Sequence, residues 1–594
     1  MILKALYDYY ERAGDELPRE GYRMRTVDFT IVLDREGHFA GIEENREEVT
    51  DGKKTRIVAK RYEVLRDKPR TSGVDPNFLW DKPKYVLNIK QKKLQAIPCK
   101  EHVAFVEQCT SLAHEYPEIA MIQTIRKFYA NNELPKLQSD PLWSDIVADE
   151  NCNISFKLKG GFELSGGIKG LGELIENNDV ENDKMAQLCL VTGERAKPVR
   201  LCMPNKIPGC KRKKPKLISF QKNSGFDSYG KSQCYNAPMS WKAAERINIA
   251  IGRLADENYC NHFSVGNRTF LFWASAAQEE AAQIEKSFFD FLSDRKNDDP
   301  NAGINAMIET MNTAWTGKRH EAQGERFYVL CVYPNEARMV VTYWQECSLA
   351  DFAEAIKRHL DDTTIAGGAP GYGIYSILSA ITLKGDIEKE TAPHLPEMLF
   401  KAVLNPKVGY PYPIYTEMLR RFRVAASQHY ANKRDEATYR RKITVMVAFI
   451  KAFLNRQKNN HEKPITMSLD KTNENIGYLC GRLFAVLDRI QEIATGGNVR
   501  SIRERYMNAA SATPGSVFPT ILKLSRFHSE KIDNNGAKIF LEKMKQEIFD
   551  KISGEVGFPV HLSMQDQGRF AIGYYQQRQD FFEKKDKENE FNNQ

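Results

Sequence analysis

The hydrophobic period of this chain changes near residue 375. Before that point short apolar runs alternate with turn residues. Beyond it, Ile476, Leu479, Leu483, Phe484, Leu487 and Ile490 recur at helical spacing through NIGYLCGRLFAVLDRIQEI, and comparable patterns run through Ile539 to Ile552 and Met564 to Phe582. A period of two puts side chains on opposite faces, whereas a period of 3.6 gathers them on one stripe, so a single sheet cannot serve both halves. The sequence predicts an α+β fold: a mixed α/β N-terminal and central region followed by a C-terminal helical bundle. With 594 residues, about three domains are expected, drawn at 1–245, 246–375 and 376–594.

Within the first half, Thr26 to Phe39 reads as strand, turn and strand around Asp34-Arg35-Glu36-Gly37. Lys84 to Ile89 and Asn153 to Leu158 are further strand candidates, and the glycine-dense Lys159 to Gly172 is expected to be a loop. Farther on, Phe327–Tyr333 and Ala337–Trp344 flank the turn Pro334-Asn335-Glu336, and Ser348 with Asp351 caps a helix striped by Leu349, Phe352, Ile356 and Leu360. Thr269 to Trp273 is a related strand, followed by a helix through Phe288, Phe289 and Phe291. The final KKDKENEFNNQ is expected to be disordered.

Many chemistries are disfavoured. There is no G-x-x-x-x-G-K-[ST], and neither Gly371-Tyr372-Gly373 nor Gly170-Leu171-Gly172 completes a dinucleotide fingerprint. GFDSYG has one residue too many before Ser228 for a nucleophile elbow. The eleven cysteines are scattered singly, which fits reduced thiols, and Cys189, Cys202, Cys210 and Cys234 have no zinc-knuckle spacing. No catalytic residue, metal or cofactor is expected. Val445 to Leu454 is broken by Lys451 and too short to span a bilayer, and MILKALYDYYERAGDELP lacks a cleavable apolar core. A cytoplasmic protein without membrane contact is the expectation.

Charge is concentrated. Eleven lysines and arginines lie between Pro411 and Asn460 against three acids, an excess equal to the +8 of the whole chain. Lys211-Arg212-Lys213-Lys214, with Lys216, forms a second cluster. Such concentrations suit a polyanionic partner.

Specific strings then accumulate: MILKALYDYYER, RTSGVDPNFLWDKPKYVL, LCLVTGE, ISFQKNSGFDSYGKSQCYNAPMS, FYVLCVYPNEARMVVTYW, MSLDKTNENIGYLCGRLFAVLDRIQ, RYMNAASATPGSVFPTILKLSRFH and QGRFAIGYYQQRQDFF. In this order they closely resemble the large subunit of the type I-C CRISPR Cascade surveillance complex (Csd-type family). The resemblance implies a non-catalytic subunit at the crRNA 5′ end. Such a subunit recognises the protospacer-adjacent motif (PAM) of double-stranded DNA, promotes duplex opening and R-loop formation, and licenses a helicase-nuclease. It implies as partners crRNA, PAM-containing DNA, the crRNA-processing subunit, the repeated backbone subunit and the small subunit. It further implies that a free small subunit starts inside the reading frame, and Met467 is the candidate start.

PAM reading needs base-edge donors, cations for the backbone, and a wedge or loop that parts the strands. In RTSGVDPNFLWDKPKYVL, Arg70, Ser72 and Asn77 can reach bases or phosphates, Lys82 and Lys84 can hold phosphates, and Phe78 and Trp80 can stack or pack. In SYGKSQCYNAP the candidates are Tyr229, Lys231, Gln233 and Asn236. A loop near DNA is assigned to Lys159, Gly160 and Gly161, and to Lys211, Arg212, Lys213 and Lys214. Arg420, Arg421, Arg423, Arg440, Arg441 and Lys442 suit a sequence-independent strand path. Departures from the family pattern include the lysine cluster after LVTGE, Asn88 where glycine is frequent and Gln576 where histidine is common. The competing readings are a metal-dependent nuclease and a general basic RNA-binding scaffold of the same defence system.

Overall fold

Phe29-Thr30-Ile31-Val32-Leu33 has no solvent-facing side, and all five residues are buried. This is the pattern of a strand covered on both faces. The computed structural model describes residues 2–51, 54–68, 74–180, 185–210, 214–227, 229–275, 278–293, 309, 325–428, 433–457, 462–496, 501–552, 554 and 557–592. The chain forms two compact units.

The first unit comprises Met1–Lys206, Lys214–Arg253 and Glu336–Arg338. It opens with α1 (Ile2–Ala13), β1 (Tyr22–Thr26), β2 (Phe29–Leu33), β3 (Phe39–Glu44), the hairpin β4 (Arg46–Asp51) and β5 (Lys54–Ala59), and β6 (Arg61–Leu65). Next come β7 (Trp80–Asp81), α2 (Pro83–Val86), β8 (Ile89–Lys90), β9 (Lys93–Leu94), α3 (Lys100–Glu115), α4 (Ala120–Ala130) and α5 (Trp143–Ala148). β10 (Ile154–Leu158), α6 (Gly172–Asp179), β11 (Gln187–Leu188), β12 (Arg195–Ala196) and α7 (Trp241–Leu254) follow. The main sheet has the order β3-β2-β10-β7, with β10 parallel to β2 and β3 antiparallel to it.

The expected turn between β2 and β3 is present. Asp34 Oδ1 accepts from the N–H groups of Glu36 (3.0 Å) and His38 (2.8 Å), and Gly37 adopts φ 86°. A Cβ on Gly37 would lie 2.6 Å from that of Lys127 on α4, so the close approach requires glycine. The strand expected over Lys84 to Ile89 is instead the short helix α2. Pro83 stands at its first turn, where a fixed φ favours helix and a missing N–H costs nothing. Asn88 then turns the chain at φ 58°, a left-handed conformation that asparagine tolerates.

A buried ionic knot ties this unit together. Glu245 of α7 takes Arg23 Nη1 of β1 at 2.8 Å and Arg66 Nη1 at 2.6 Å, and Arg66 Nη2 reaches Asp179 of α6 at 2.7 Å. Arg23 Nη2 donates to Asn248 Oδ1 (2.6 Å) and Trp241 Nε1 to Asp179 Oδ2 (3.2 Å).

The second unit comprises Ile207–Lys213, Leu254–Asn335 and Met339–Gln594. Its sheet runs in the order β13 (His262–Val265), β14 (Arg268–Ala274), β15 (Arg326–Asn335), β16 (Arg338–Ser348), with α8 (Gln278–Ser293) between β14 and β15. Helices α9 (Leu349–Thr363), α10 (Ile374–Ala380), α11 (Ile387–Glu390), α12 (Leu395–Leu404), α13 (Tyr412–Ser427) and α14 (Lys433–Asn455) follow. The unit ends with α15 (Ile476–Thr495), α16 (Ile502–Ala512), α17 (Pro514–Glu530), α18 (Asn535–Phe549) and α19 (Met564–Asn592). The fold is therefore α+β with a helical C-terminal part, as the change of period predicts. The Ser348 cap forms as expected, with the Asp351 N–H on Ser348 Oγ at 3.0 Å. Phe352 of α9 stacks on Phe327 of β15 at 3.8 Å. One apolar core runs from Phe263 of the sheet to Tyr575 of α19.

One difference from expectation is the C-terminal tail, whose backbone continues α19 as helix to Asn592, in line with the helix propensity of its lysines and glutamates. Helices α15 and α19 pack backbone to backbone at Gly477, Gly481 and Gly573. A Cβ on Gly481 would sit 2.9 Å from Tyr574 N and closer still to the Phe570 carbonyl oxygen.

His359 is fully buried, its Nε2 at 2.8 Å from the Tyr372 carbonyl and its Nδ1 at 2.8 Å from the Tyr410 hydroxyl. The carbonyl accepts only, so Nε2 carries the proton and Nδ1 accepts from Tyr410. Burial pushes its pKa down to about 3, against an opposing hydrogen bond to Tyr372 and with help from the Arg456 charge. The unfolded chain protonates this imidazole at about 6.5. Stability contributed by keeping it neutral is therefore complete above that value and lost as pH falls from about 6.5 toward about 3. Over that window a His359→Gln variant is expected to show a shallower pH dependence of urea unfolding, by up to about 1.4 kcal/mol per pH unit. Parallel curves for the two proteins would refute this.

Candidate nucleic-acid interface

Two of the segments singled out in the sequence meet in the first unit. Ser165 Oγ donates to the Leu79 carbonyl at 2.6 Å and accepts from Phe156 N–H at 3.0 Å. A Cβ on Gly166 would lie 2.8 Å from Trp80 Cδ1, and one on Gly167 2.8 Å from the Glu63 carbonyl. These glycines therefore serve packing. Leu79 holds φ 63°, a costly conformation for leucine that its buried side chain and the Ser165 bond maintain.

The Arg70–Leu87 segment divides into framework and rim. Phe78 and Trp80 are packed inward, and Trp80 Nε1 donates to the Leu65 carbonyl at 2.9 Å. Asn77 is 5% exposed: its Oδ1 accepts from Lys68 N–H (3.0 Å) and its own N–H donates to Asp81 Oδ2 (2.8 Å). In this arrangement Asn77 shapes the loop and presents no group outward. Lys82 is exposed, with Nζ at 3.1 Å from Asn151 Oδ1. Lys84 pairs with Glu101 at 2.5 Å, a hydrogen bond that raises the lysine pKa and lowers the glutamate's. Arg70 and Ser72 lie outside the described residues.

The glycine-dense segment divides likewise. Leu164 to Gly167 are buried or packed, while Lys159 and Gly160 are exposed, and Gly160 takes φ 77° with open space around it. Beside Gly161 stands Phe162, 97% exposed. Sequence reading missed this aromatic. Its signal was an apolar residue between two glycines and Glu163, where no alternation gives it a core to enter.

The third segment hangs on another strip of the same unit. Cys234 N–H donates to Arg200 O (3.2 Å), Leu190 N–H to Pro238 O (3.0 Å) and Val199 N–H to Met239 O (3.0 Å). Asn236 Nδ2 closes the turn on the carbonyls of Lys231 (3.2 Å) and Gln233 (3.0 Å), and Gln233 Oε1 accepts from Arg200 Nη1 at 3.1 Å. Tyr229 is 92% exposed and Lys231 is exposed. Lys211, Arg212 and Lys213 lie outside the described residues. Lys214 is exposed, and its charge helps Arg25 hold the Asp67 carboxyl below the ordinary range although burial opposes this.

The basic stretch of the second unit is not one surface. Arg420 and Arg421 both bond Glu417, and Arg423 bonds Gln567. Burial lowers the pKa of Arg423 and of Lys442. Arg440 and Arg441 are exposed. Lys451 and Arg456 turn inward: Arg456 Nε meets Asp362 at 2.6 Å and its guanidinium lies 4.0 Å from the Tyr410 ring centre. Counting charge along the chain overstates the outward cations because a helix distributes successive residues around its axis.

Among the described residues no three His, Cys, Asp or Glu side chains are grouped to hold a metal, and no helix is long and apolar enough to cross a membrane. A family profile described as CRISPR-associated protein Csd1 matches residues 6–582, a span that takes in both units and every segment described above. The chain belongs to the Csd1 family. No curated protein matches it. Membership makes the chain a CRISPR-associated Cascade subunit and agrees with the type I-C large subunit that the sequence strings resemble. In this Csd1 protein Lys82, Lys159, Phe162, Tyr229, Lys231 and Lys214 of the first unit and Arg420, Arg440 and Arg441 of the second are exposed.

Proposed function

We propose that this Csd1 protein is a non-catalytic large subunit that recognises the PAM in duplex DNA and starts its opening. In this reading it promotes R-loop formation along crRNA and licenses the helicase-nuclease. The observation that carries the reading is the Lys159–Phe162 loop. It is anchored at Ser165 to the base of the Arg70–Leu87 segment and holds up a phenylalanine that is 97% exposed. Apolar side chains inserted between base steps unstack them, and cations alongside hold the backbone during the exchange. Lys159, Lys82 and Lys214 are exposed in the same unit. The complex would also include the crRNA-processing, backbone and small subunits.

The deciding experiment measures binding of guide-loaded complex, with and without this chain, to duplexes carrying randomised flanks. Enrichment of a short motif only with the chain present supports PAM reading; equal and flank-indifferent binding without it overturns that role. Phe162→Ala is expected to slow R-loop formation by roughly 5–100-fold, the worth of one stacked base, with unchanged thermal stability. Opening at the wild-type rate would remove the wedge. Turnover of labelled DNA or RNA with Mg²⁺ by the purified chain would refute the non-catalytic assignment.

Arg420, Arg440 and Arg441 are given the sequence-independent part of the contact. Engagement of about five phosphates predicts a slope of about −3.5 to −4.5 for log K against log salt. Replacing both Arg440 and Arg441 with alanine should flatten that slope by about 1.4–1.8 and leave PAM preference unchanged. An unaltered slope would place the strand elsewhere.

The start at Met467 is retained as part of this reading. Met467 lies half-exposed ahead of α15, and Gln576 Nε2 of α19 holds the carbonyls of Thr466 (2.8 Å) and Met467 (3.2 Å). Met467→Leu should abolish a C-terminal product detected by a C-terminal tag, and persistence of that product would exclude this start.

A further inference from the structure

The short hairpin of β8 and β9 in the first unit breaks two local rules at once. Ile89 pairs with Leu94 and Lys90 with Lys93, so Gln91 and Lys92 alone make the turn, at φ 51° and 55°. A two-residue turn of this hand suits Asn-Gly, whereas glutamine and lysine adopt it at a steric cost. Lys90 and Lys93 also stand directly opposite each other, where like charges repel. The side chains of Lys90, Lys92 and Lys93 are exposed, and among the described residues no carboxylate is paired with any of them.

The surrounding structure holds the hairpin in this shape. Gln95 Nε2 donates to the carbonyls of Lys90 (2.8 Å) and Lys93 (3.0 Å), and Lys92 N–H donates to Glu150 Oε1 at 2.6 Å. At the base, the buried Asn88 donates from Nδ2 to Gln95 O (2.9 Å) and accepts at Oδ1 from Cys99 N–H (2.9 Å). Asn151, next to Glu150, accepts from Lys82 Nζ at 3.1 Å. Two adjacent residues thus hold the hairpin tip and Lys82, and four exposed lysines share one region of surface. The acids of these segments are already engaged. Glu150 takes Lys92 N–H, Asp149 takes Asn151 N–H (2.9 Å), Glu101 pairs with Lys84, and the buried Asp81 takes the N–H groups of Asn77 and Lys82.

We propose that the Lys90–Lys93 hairpin, with Lys82 beside it, grips neighbouring phosphates of a nucleic-acid backbone. Local strain and like-charge pairing of this kind persist where a ligand uses them. An anion seated between Lys90 and Lys93 turns their repulsion into two attractions, and Lys92 at the apex adds a third cation. A phosphodiester backbone fits because its charges repeat, so one strand can meet several of these lysines in succession. Such contacts fix register and carry no sequence information. The grip stands on the geometry of the hairpin; its use on PAM-bearing duplex rests on the function proposed above.

The test measures, across a salt series, binding of the guide-loaded complex to labelled duplex and of the full-length chain to single-stranded crRNA. In K90A/K93A the slope of log K against log salt should flatten by about 1.8 on duplex, or by about 1.4 on RNA if the phosphates belong to the guide. K90R/K93R should keep the wild-type slope, because the charge is retained. K90A/K93A should melt no lower than wild type, since the repulsion leaves with the lysines. Q91N/K92G should melt higher than wild type and flatten the slope by one lysine's share, about 0.9 on duplex. Unaltered slopes on both nucleic acids would overturn the proposal. Loss of another subunit from the K90A/K93A complex, with slopes unaltered, would also overturn it and assign the lysines to an acidic protein neighbour. Flattening on RNA alone would uphold the grip and remove it from the duplex. The randomised-flank experiment separates this from base readout: lost motif enrichment leaves a flattened slope standing, and an unaltered slope leaves motif enrichment standing.

Discussion

Replacing Glu245 with alanine is expected to destabilise the first unit by about 3–5 kcal/mol, because it leaves the buried Arg23 guanidinium without a carboxylate and Arg66 with Asp179 alone. Arg23 and Arg66 both lose the carboxylate that faces them, and the Gly21 N–H loses its acceptor. Urea unfolding followed by a signal from the first unit should show the midpoint falling, with the second unit's transition unmoved. A loss below about 1 kcal/mol would mean that water replaces the carboxylate and that the knot is ordinary surface chemistry. The knot also has a pH signature. Burial alone would raise the Glu245 pKa, but Arg23 and Arg66 outweigh it and hold the carboxyl below its usual range. Its contribution is complete above the ordinary glutamate value and lost as pH falls through the depressed folded value. Asp179, with Arg66 as its guanidinium partner, is carried upward by burial instead. Glu245→Gln should therefore lose most of the acid sensitivity that Glu245 confers.

Gly481→Ala is expected to cost the second unit about 3 kcal/mol or more, the upper end of overpacking penalties, because the obstruction is backbone and cannot rotate away. The new methyl carbon would lie 2.9 Å from both Phe570 C and Tyr574 N. The same substitution at Gly252 of α7 should act in the opposite direction. Only Asn205 Nδ2 comes near a Cβ there, at 3.9 Å, so the gain in helix propensity of about 0.5–1 kcal/mol is free to appear. If thermal unfolding ranked the two variants equally, the close helix contact would be wrong.

Much of the fold was legible because local rules and tertiary structure agree. The β2–β3 turn, the β10 strand, the β15–β16 hairpin and the Ser348 cap each follow from residues within one short window. The failures share a cause. Lys84 to Ile89 alternates like a strand, yet Pro83 starts a helix there. Gly477 and Gly481 show helical spacing in the sequence, but nothing in a sequence says that Gly573 and Phe570 will meet them. For the segments singled out in the sequence, the exposure of individual side chains was not legible. Asn77 reads as a loop residue able to reach DNA, yet its amide builds the loop; Phe162 reads as an apolar residue, yet it stands in solvent. Burial is decided by which distant segments arrive, and residue type does not encode that.

Helix α19 also sets the order in which this protein can be made. It supplies Phe570, Ala571, Ile572, Tyr574 and Tyr575 to the core that begins at Phe263, and its glycines must be in place before α15 can close. During synthesis, at roughly 5–20 residues per second, the apolar surface of the sheet and of the eleven described helices α8 to α18 waits uncovered for about half a minute. A ribosome that stalls before Tyr574 releases a chain whose second unit has no finished interior. Such nascent chains are the ones most in need of chaperone cover.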